Sequence, residues 1–181
     1  MGGAGSGKTT LARWLTAALD YPCYELDQVG WTAVGKVPLS QRLTTIEQIA
    51  SQPNWITEGA FLWWTDRLLA EADVIVWLDL PFPITSWRII KRHILASWRG
   101  NNPHAGIMNL LRFIVGVGQS YYRQEPIQPQ GPDDDFAITR AATRQILSHY
   151  HYKLIHCRQQ REIEQFQEQI RNQAPHQELG F

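Results

Sequence analysis

Residues 2–9 read Gly2-Gly3-Ala4-Gly5-Ser6-Gly7-Lys8-Thr9, an uninterrupted match to glycine, four residues, then Gly-Lys-Ser/Thr. Glycines lack a Cβ, so successive backbone N–H groups can turn inward and surround an anion. A helical pattern starts where this run ends: Leu11, Trp14, Leu15 and Ala18 repeat at helical spacing across Thr9 to Leu19. The positive end of that helix dipole points back at the same loop. An accidental match in a glycine-rich terminus does not account for a helix in register with it.

The residue types within the run specify the anion. Lys8 supplies a mobile positive charge for β- and γ-phosphates, and the Thr9 hydroxyl is a ligand for Mg²⁺. The expected nucleotide contacts are Gly2, Gly3, Ala4, Gly5, Ser6, Gly7, Lys8 and Thr9, with Thr10 next to them. ATP and Mg²⁺ are therefore the expected cofactors. Such a loop normally follows a buried strand, yet only Met1 stands before it. The expectation is a sheet whose first strand is missing from this chain, or one assembled without it.

With 181 residues the chain has room for one domain with a sizeable core. Its 44% apolar and 19% charged residues are ordinary for a globular protein. Seventeen basic and seventeen acidic residues cancel, which argues against a nucleic-acid or anionic-membrane surface over the whole molecule and leaves local patches open. Cys23 and Cys157 have no metal-ligand spacing and read as idle thiols in a reducing compartment. The apolar stretches 74–90 and 107–117 are broken by Asp79, two prolines and Arg88, or by Asn109 and Arg112; neither suits a bilayer span. There is no signal-peptide pattern. A cytoplasmic protein without a membrane or nucleic-acid partner is expected, as a monomer or alternatively a dimer.

Strand and helix patterns alternate. Strands are expected at Cys23–Leu26, Trp55–Thr57, Val74–Leu80 and Lys153–His156. Helices are expected at 39–51 (with Leu43, Ile46 and Ile49 on one face), 64–70, 84–98, 107–123, 136–150 and 161–172. Residues 28–38 and 125–135 read as irregular. This alternation implies an α/β fold with a parallel sheet.

The loop, its helix, Glu25-Leu26-Asp27, Trp55-Ile56-Thr57-Glu58-Gly59, Val74 to Pro81, the arginine-bearing 87–99 and the closing Cys157 to Ile163 occur in a telling order. In that order the chain resembles the small adenylate-kinase-like P-loop proteins, often called DNA topology modulation proteins, over nearly its whole length. The resemblance implies the three-layer P-loop NTPase fold with a parallel sheet of order 2-3-1-4-5, strand 1 being the missing one. It implies a single kinase-like domain over 1–172 with a lid at about 84–135 and a frayed tail at 173–181. It also implies ATP as donor to a small acceptor.

On that resemblance Asp27 falls where related kinases place an acidic residue facing the acceptor, and it would accept a hydroxyl proton or orient the acceptor; a turn-capping Asp is the alternative. Glu58, before Gly59, matches the position that holds a Mg²⁺-bound water. Asp79 competes as the end of an apolar strand, and strand order favours Glu58. From Leu80 to Gln124 there is no acid, while Arg88, Lys91, Arg92, Arg99, Arg112 and Arg123 are all present. Arg88 and Arg92 share a helix face. Arg88 is expected to contact the nucleotide, and Arg92 and Arg99, with Lys8 and Asp27, to act in catalysis as lid residues; a solvated basic helix is the alternative. Arg140 and Arg144 resemble a second arginine arm. Trp31, Trp63 and Trp64 are candidates for an acceptor pocket, and Trp55 and Trp77 for the core.

Two functions fit these residues: an ATP-dependent phosphotransferase acting on a nucleoside monophosphate or hydroxyl metabolite, and an ATP-hydrolysing regulatory or DNA-associated protein without an acceptor. No Asn-Lys-x-Asp guanine signature is present.

Overall fold

A computed structural model describes residues 1–99, 106–131 and 134–173. The helix after the glycine loop, α1 (Lys8–Leu19), follows Gly7, whose φ of 99° suits only glycine without strain. It ends where Asp20 turns left-handed with its N–H on Thr16 O at 2.9 Å. The chain then runs through β1 (Cys23–Glu25), α2 (Leu26–Gly30), β2 (Trp31–Thr32), β3 (Gly35–Lys36), α3 (Leu39–Ala50), β4 (Ile56–Glu58) and α4 (Asp66–Glu71). It continues with β5 (Ile75–Leu78), α5 (Phe82–Trp98), α6 (Ile107–Tyr122), α7 (Arg140–Leu147), β6 (Leu154–Cys157) and α8 (Gln160–Gln173).

The fold is α/β with parallel pairing. β1 lies parallel to β4, Glu25 opposite Glu58, and β5 parallel to β6, Leu78 opposite Cys157. Met1 and Gly2 run along the free edge of β5: Gly2 bridges Leu78 in parallel, and Leu78 N donates to Met1 O at 2.9 Å. These two residues stand where a first strand was expected, and they are too few to form one. Among the described residues β4 and β5 form no ladder with each other, so the strands make two parallel pairs instead of a continuous sheet.

β5 explains why the centre is buried on both sides. Its residues alternate, as a period of two requires: Ile75 and Trp77 pack with Leu69 and Leu147, while Leu78 packs with Leu11, Cys157, Ile163 and Phe166. α4 and α7 thus cover one face, and α1 and α8 the other. Each such apolar side chain contributes about 1.5–3 kcal/mol relative to exposure. A third cluster, with Leu26, Ile46, Ile49, Phe61, Trp64 and Leu68, holds α2, α3 and α4 together.

Three local expectations are corrected. Residues 28–38 hold the end of α2 and the small antiparallel hairpin β2–β3. On α3 the buried stripe is Arg42, Ile46 and Ile49, and Leu43 is exposed. A core arginine is tolerated because its Nε donates to Val37 O at 2.9 Å and its guanidinium lies 5.1 Å over the Trp64 ring. The helix expected at 136–150 is confined to α7, since Thr139 caps it by accepting from Ala142 N at 3.1 Å. The tail from Ala174 onward, part of the expected lid (100–105) and Asp133 lie outside the described residues.

Candidate functional site

The glycine loop is wedged between the end of β5 and α5. Gly2 and Gly5 both have positive φ, 152° and 74°. A Cβ on Gly2 would approach Leu78 O to 2.7 Å, and one on Gly5 would approach Thr85 O to 2.5 Å, so neither position admits a side chain. At Gly3 a Cβ would meet nothing within 4 Å, which leaves the loop's outer side open. Leu11 is the first residue whose N–H closes a helical bond, on Gly7 O at 3.0 Å. The N–H groups of Lys8, Thr9 and Thr10 are therefore free of helical partners at the loop. Lys8 Nζ reaches back to Gly3 O at 3.4 Å, and Arg88 Nη1 donates to Ser6 O at 3.2 Å. Lys8 and Arg88 thus bring two cations to one loop.

Below the loop, Thr9 Oγ1 donates to Glu58 Oε1 at 2.8 Å. Glu58 is buried at the end of β4, and its other oxygen, Oε2, has no hydrogen-bond partner; neither has the buried Ser6 hydroxyl. A buried carboxylate oxygen without a partner is costly, and it is the kind of group a ligand or ion satisfies. A hydroxyl and a carboxylate side by side are hard oxygen donors of the sort Mg²⁺ takes. Among the described residues no group of three or more His, Cys, Asp or Glu could hold a metal; Mg²⁺ usually takes one or two protein oxygens, with waters and substrate phosphates completing its shell. The residues present fit Mg²⁺ and a polyphosphate.

Asp79 is held differently. Arg140 grips it with Nε on Oδ1 at 2.6 Å and Nη2 on Oδ2 at 2.8 Å, and His156 Nε2 lies 3.0 Å from Oδ2. His156 stacks on Trp77 at 4.1 Å, and Arg140 lies 4.6 Å over the Tyr121 ring. Burial pulls the His156 pKa below its usual value, and the bond to Asp79 only partly opposes this. Because a carboxylate can only accept, Nε2–H is the donor in this contact. Both oxygens of Asp79 are occupied, so of the two competing carboxylates only Glu58 has an oxygen to offer. Arg140, expected as part of an arginine arm, is committed to this cluster, and Arg144 is exposed.

Asp27 lies in α2, exposed, two residues beyond Glu25 at the end of β1. Parallel pairing brings Glu25 and Glu58 level, so Asp27 emerges at the strand ends where Glu58 sits. Arg88, Lys91, Arg92, Leu95, Ala96 and Arg99 line a groove of about 350 Å³ along α5. Only Arg88 of the expected lid arginines reaches the loop; Arg92 and Arg99 continue its line away from it. Trp64 belongs to the core, Trp63 donates to Asp134 O at 2.9 Å, and Trp31 is exposed beside Lys36, so the three form no common pocket. Trp77 is core as expected, and Trp55 packs against the α2–α4 cluster. Burial pushes the Cys157 thiol up to about 11, which disfavours the thiolate form.

Sequence reasoning missed the Arg88–Ser6 bond, the support Arg88 receives from Gln160 Oε1 at 2.9 Å, and the Asp79 cluster. All three join residues more than sixty positions apart and have no local signature. No protein-family model matches the chain, and no curated protein matches it in sequence. Among the described residues no helix is long and apolar enough to cross a membrane. Fold and site together define an α/β protein with a glycine cradle, two cations and one half-satisfied carboxylate at a helix start.

Proposed function

We propose that this chain is an ATP-dependent phosphotransferase acting in the cytoplasm on a small acceptor, a nucleoside monophosphate or a hydroxyl metabolite. Its two parallel strand pairs, with Met1 and Gly2 along β5, would be parts of the P-loop NTPase sheet of order 2-3-1-4-5, those two residues lying at the strand 1 position. The observation that carries the reading is the Thr9–Glu58 bond under the glycine loop, with Glu58 Oε2 buried and without a partner.

In this reading the N–H groups at the start of α1 receive the phosphates, and Lys8 swings from Gly3 O onto the β- and γ-oxygens. Thr9 and Glu58 would hold Mg²⁺, which supplies charge neutralisation across those phosphates. Arg88 braces the loop from outside. Closure of α5 would bring Arg92 and Arg99 toward the charge that spreads over the transferring group. Asp27, open to solvent at the strand ends, would take the proton of a hydroxyl acceptor, or orient the acceptor group, as the acceptor oxygen bonds to the γ-phosphorus and the bond to the β,γ-bridging oxygen breaks, releasing ADP.

The test is ADP release across a panel of nucleoside monophosphates and small alcohols, for wild type, Lys8→Ala and Asp27→Asn. Acceptor-dependent turnover that is lost in both variants is expected. Turnover indifferent to every acceptor, lost in Lys8→Ala alone, would instead identify an ATP-hydrolysing regulatory or DNA-associated protein.

A further inference from the structure

Two grooves connect to the glycine loop through hydrogen-bonded neighbours, and their linings carry opposite charge. The groove along α5 begins with Arg88, which bonds Ser6 O, and continues with Lys91, Arg92 and Arg99. The second, of about 420 Å³, lies beside β1 between α2 and α3. It begins with Glu25, which stands level with Glu58 across the parallel pair, and Glu58 bonds Thr9 of the loop. The backbones of Glu25 and Glu58 are therefore one strand spacing apart, about 4.8 Å. Gln28 and Val29 of the lining directly follow Asp27 in α2.

The β1 groove suits hydroxyl groups and not a dianion. Its polar lining comes from Tyr24, Glu25, Gln28, Gln41 and Thr45, and among the described residues no Lys or Arg lines it. Glu25 accepts from Gln28 Nε2 on Oε2 at 2.8 Å, which leaves Oε1 open. The two cations on the neighbouring elements are engaged elsewhere. Lys36 pairs with Asp135 at 2.7 Å. Arg42 is buried, with Nε on Val37 O and its guanidinium over Trp64. A phosphomonoester brings close to two negative charges and calls for charge-assisted donors. Here it would meet the Glu25 carboxylate, with Glu58 one strand away. Hydroxyl and ammonium groups would instead find acceptors, in that carboxylate and the glutamine amide oxygens. The same lining favours one acceptor class and repels the other.

We infer that the acceptor is a hydroxyl compound without an anionic group, seated in the β1 groove, and not a nucleoside monophosphate. This rests on the phosphotransferase reading. The experiment compares ADP release by the full chain with glycerol, glucose and glucosamine against AMP, CMP, GMP and UMP. A kcat/KM at least about a hundredfold higher for the best alcohol is expected. Gln41→Lys, at an exposed position, sets a cation in the groove. With a non-hydrolysable ATP analogue at saturation, it should bind AMP at least about tenfold more tightly than wild type, and it should use glucosamine about tenfold less. Should that variant unfold by circular dichroism, Glu25→Gln should lower turnover of glucosamine relative to glucose. Transfer to a nucleoside monophosphate as fast as to any alcohol overturns the inference and leaves the phosphotransferase reading standing. So does a folded Gln41→Lys that matches wild type in both measurements. ADP release indifferent to every acceptor overturns the two together.

Discussion

Glu58 and Asp79 lie at or just past the ends of parallel strands, and both are buried. Asp79 has every oxygen engaged, by Arg140 and His156; Glu58 has one oxygen on Thr9 and the other on nothing. A saturated carboxylate ties elements together, here β5, β6 and α7. A carboxylate with one free oxygen beside the glycine loop is, in the proposed reading, where the ion binds. The difference separates structural from functional charge, and substitutions at each position can test it.

The largest stability effect should come from Asp79→Ala. Breaking the pair leaves Arg140 without its partner, and we expect a loss of about 3 kcal/mol, at the low end for a buried pair because Arg140 remains partly hydrated. Glu58→Gln should stay within about 1 kcal/mol of wild type in the same urea titration, since the amide oxygen still accepts from Thr9. Equal losses at the two positions would erase the distinction. Gly5→Ala should cost about 2 kcal/mol, because the new methyl meets Thr85 O and a left-handed φ is forced on alanine. Wild-type stability there would mean the loop is not pinned to α5. Glu58→Gln should weaken Mg-nucleotide binding about tenfold while the metal-free nucleotide is little affected, read as loss of Mg-dependent thermal stabilisation.

The smallest effect is one of pH. The unfolded His156 titrates near 6.5, whereas the buried ring resists protonation. The folded state therefore binds fewer protons, and its stability is full above the ordinary histidine range and falls as pH drops through and below it. His156→Gln should flatten that slope in urea midpoints measured across the range; an unchanged slope assigns it to other groups.

What could be read in the chain beforehand was local. The glycine loop, α1 and the β5 strand declare themselves through backbone freedom, a 3.6-residue period and a β-branched run, all within a dozen residues. Glu58 is preferred to Asp79 through the strand order that the resemblance implies, since both close a strand pattern. The role of Asp79 could not be read, because its partners are 61 and 77 residues away. Hydrophobicity alone put Leu43 on the buried stripe of α3; the buried position is its neighbour Arg42, whose guanidinium lies over the Trp64 ring. Trp64, taken for a pocket wall, is that partner.

The most direct measurement is calorimetric titration of the folded chain with ATP, with and without Mg²⁺, beside Lys8→Ala and Asp79→Asn. We predict one Mg-enhanced site in wild type, none in Lys8→Ala with the fold intact, and a retained site in Asp79→Asn. Folded wild-type protein that takes up no nucleotide, or whose affinity ignores both Lys8 and Mg²⁺, would contradict the account.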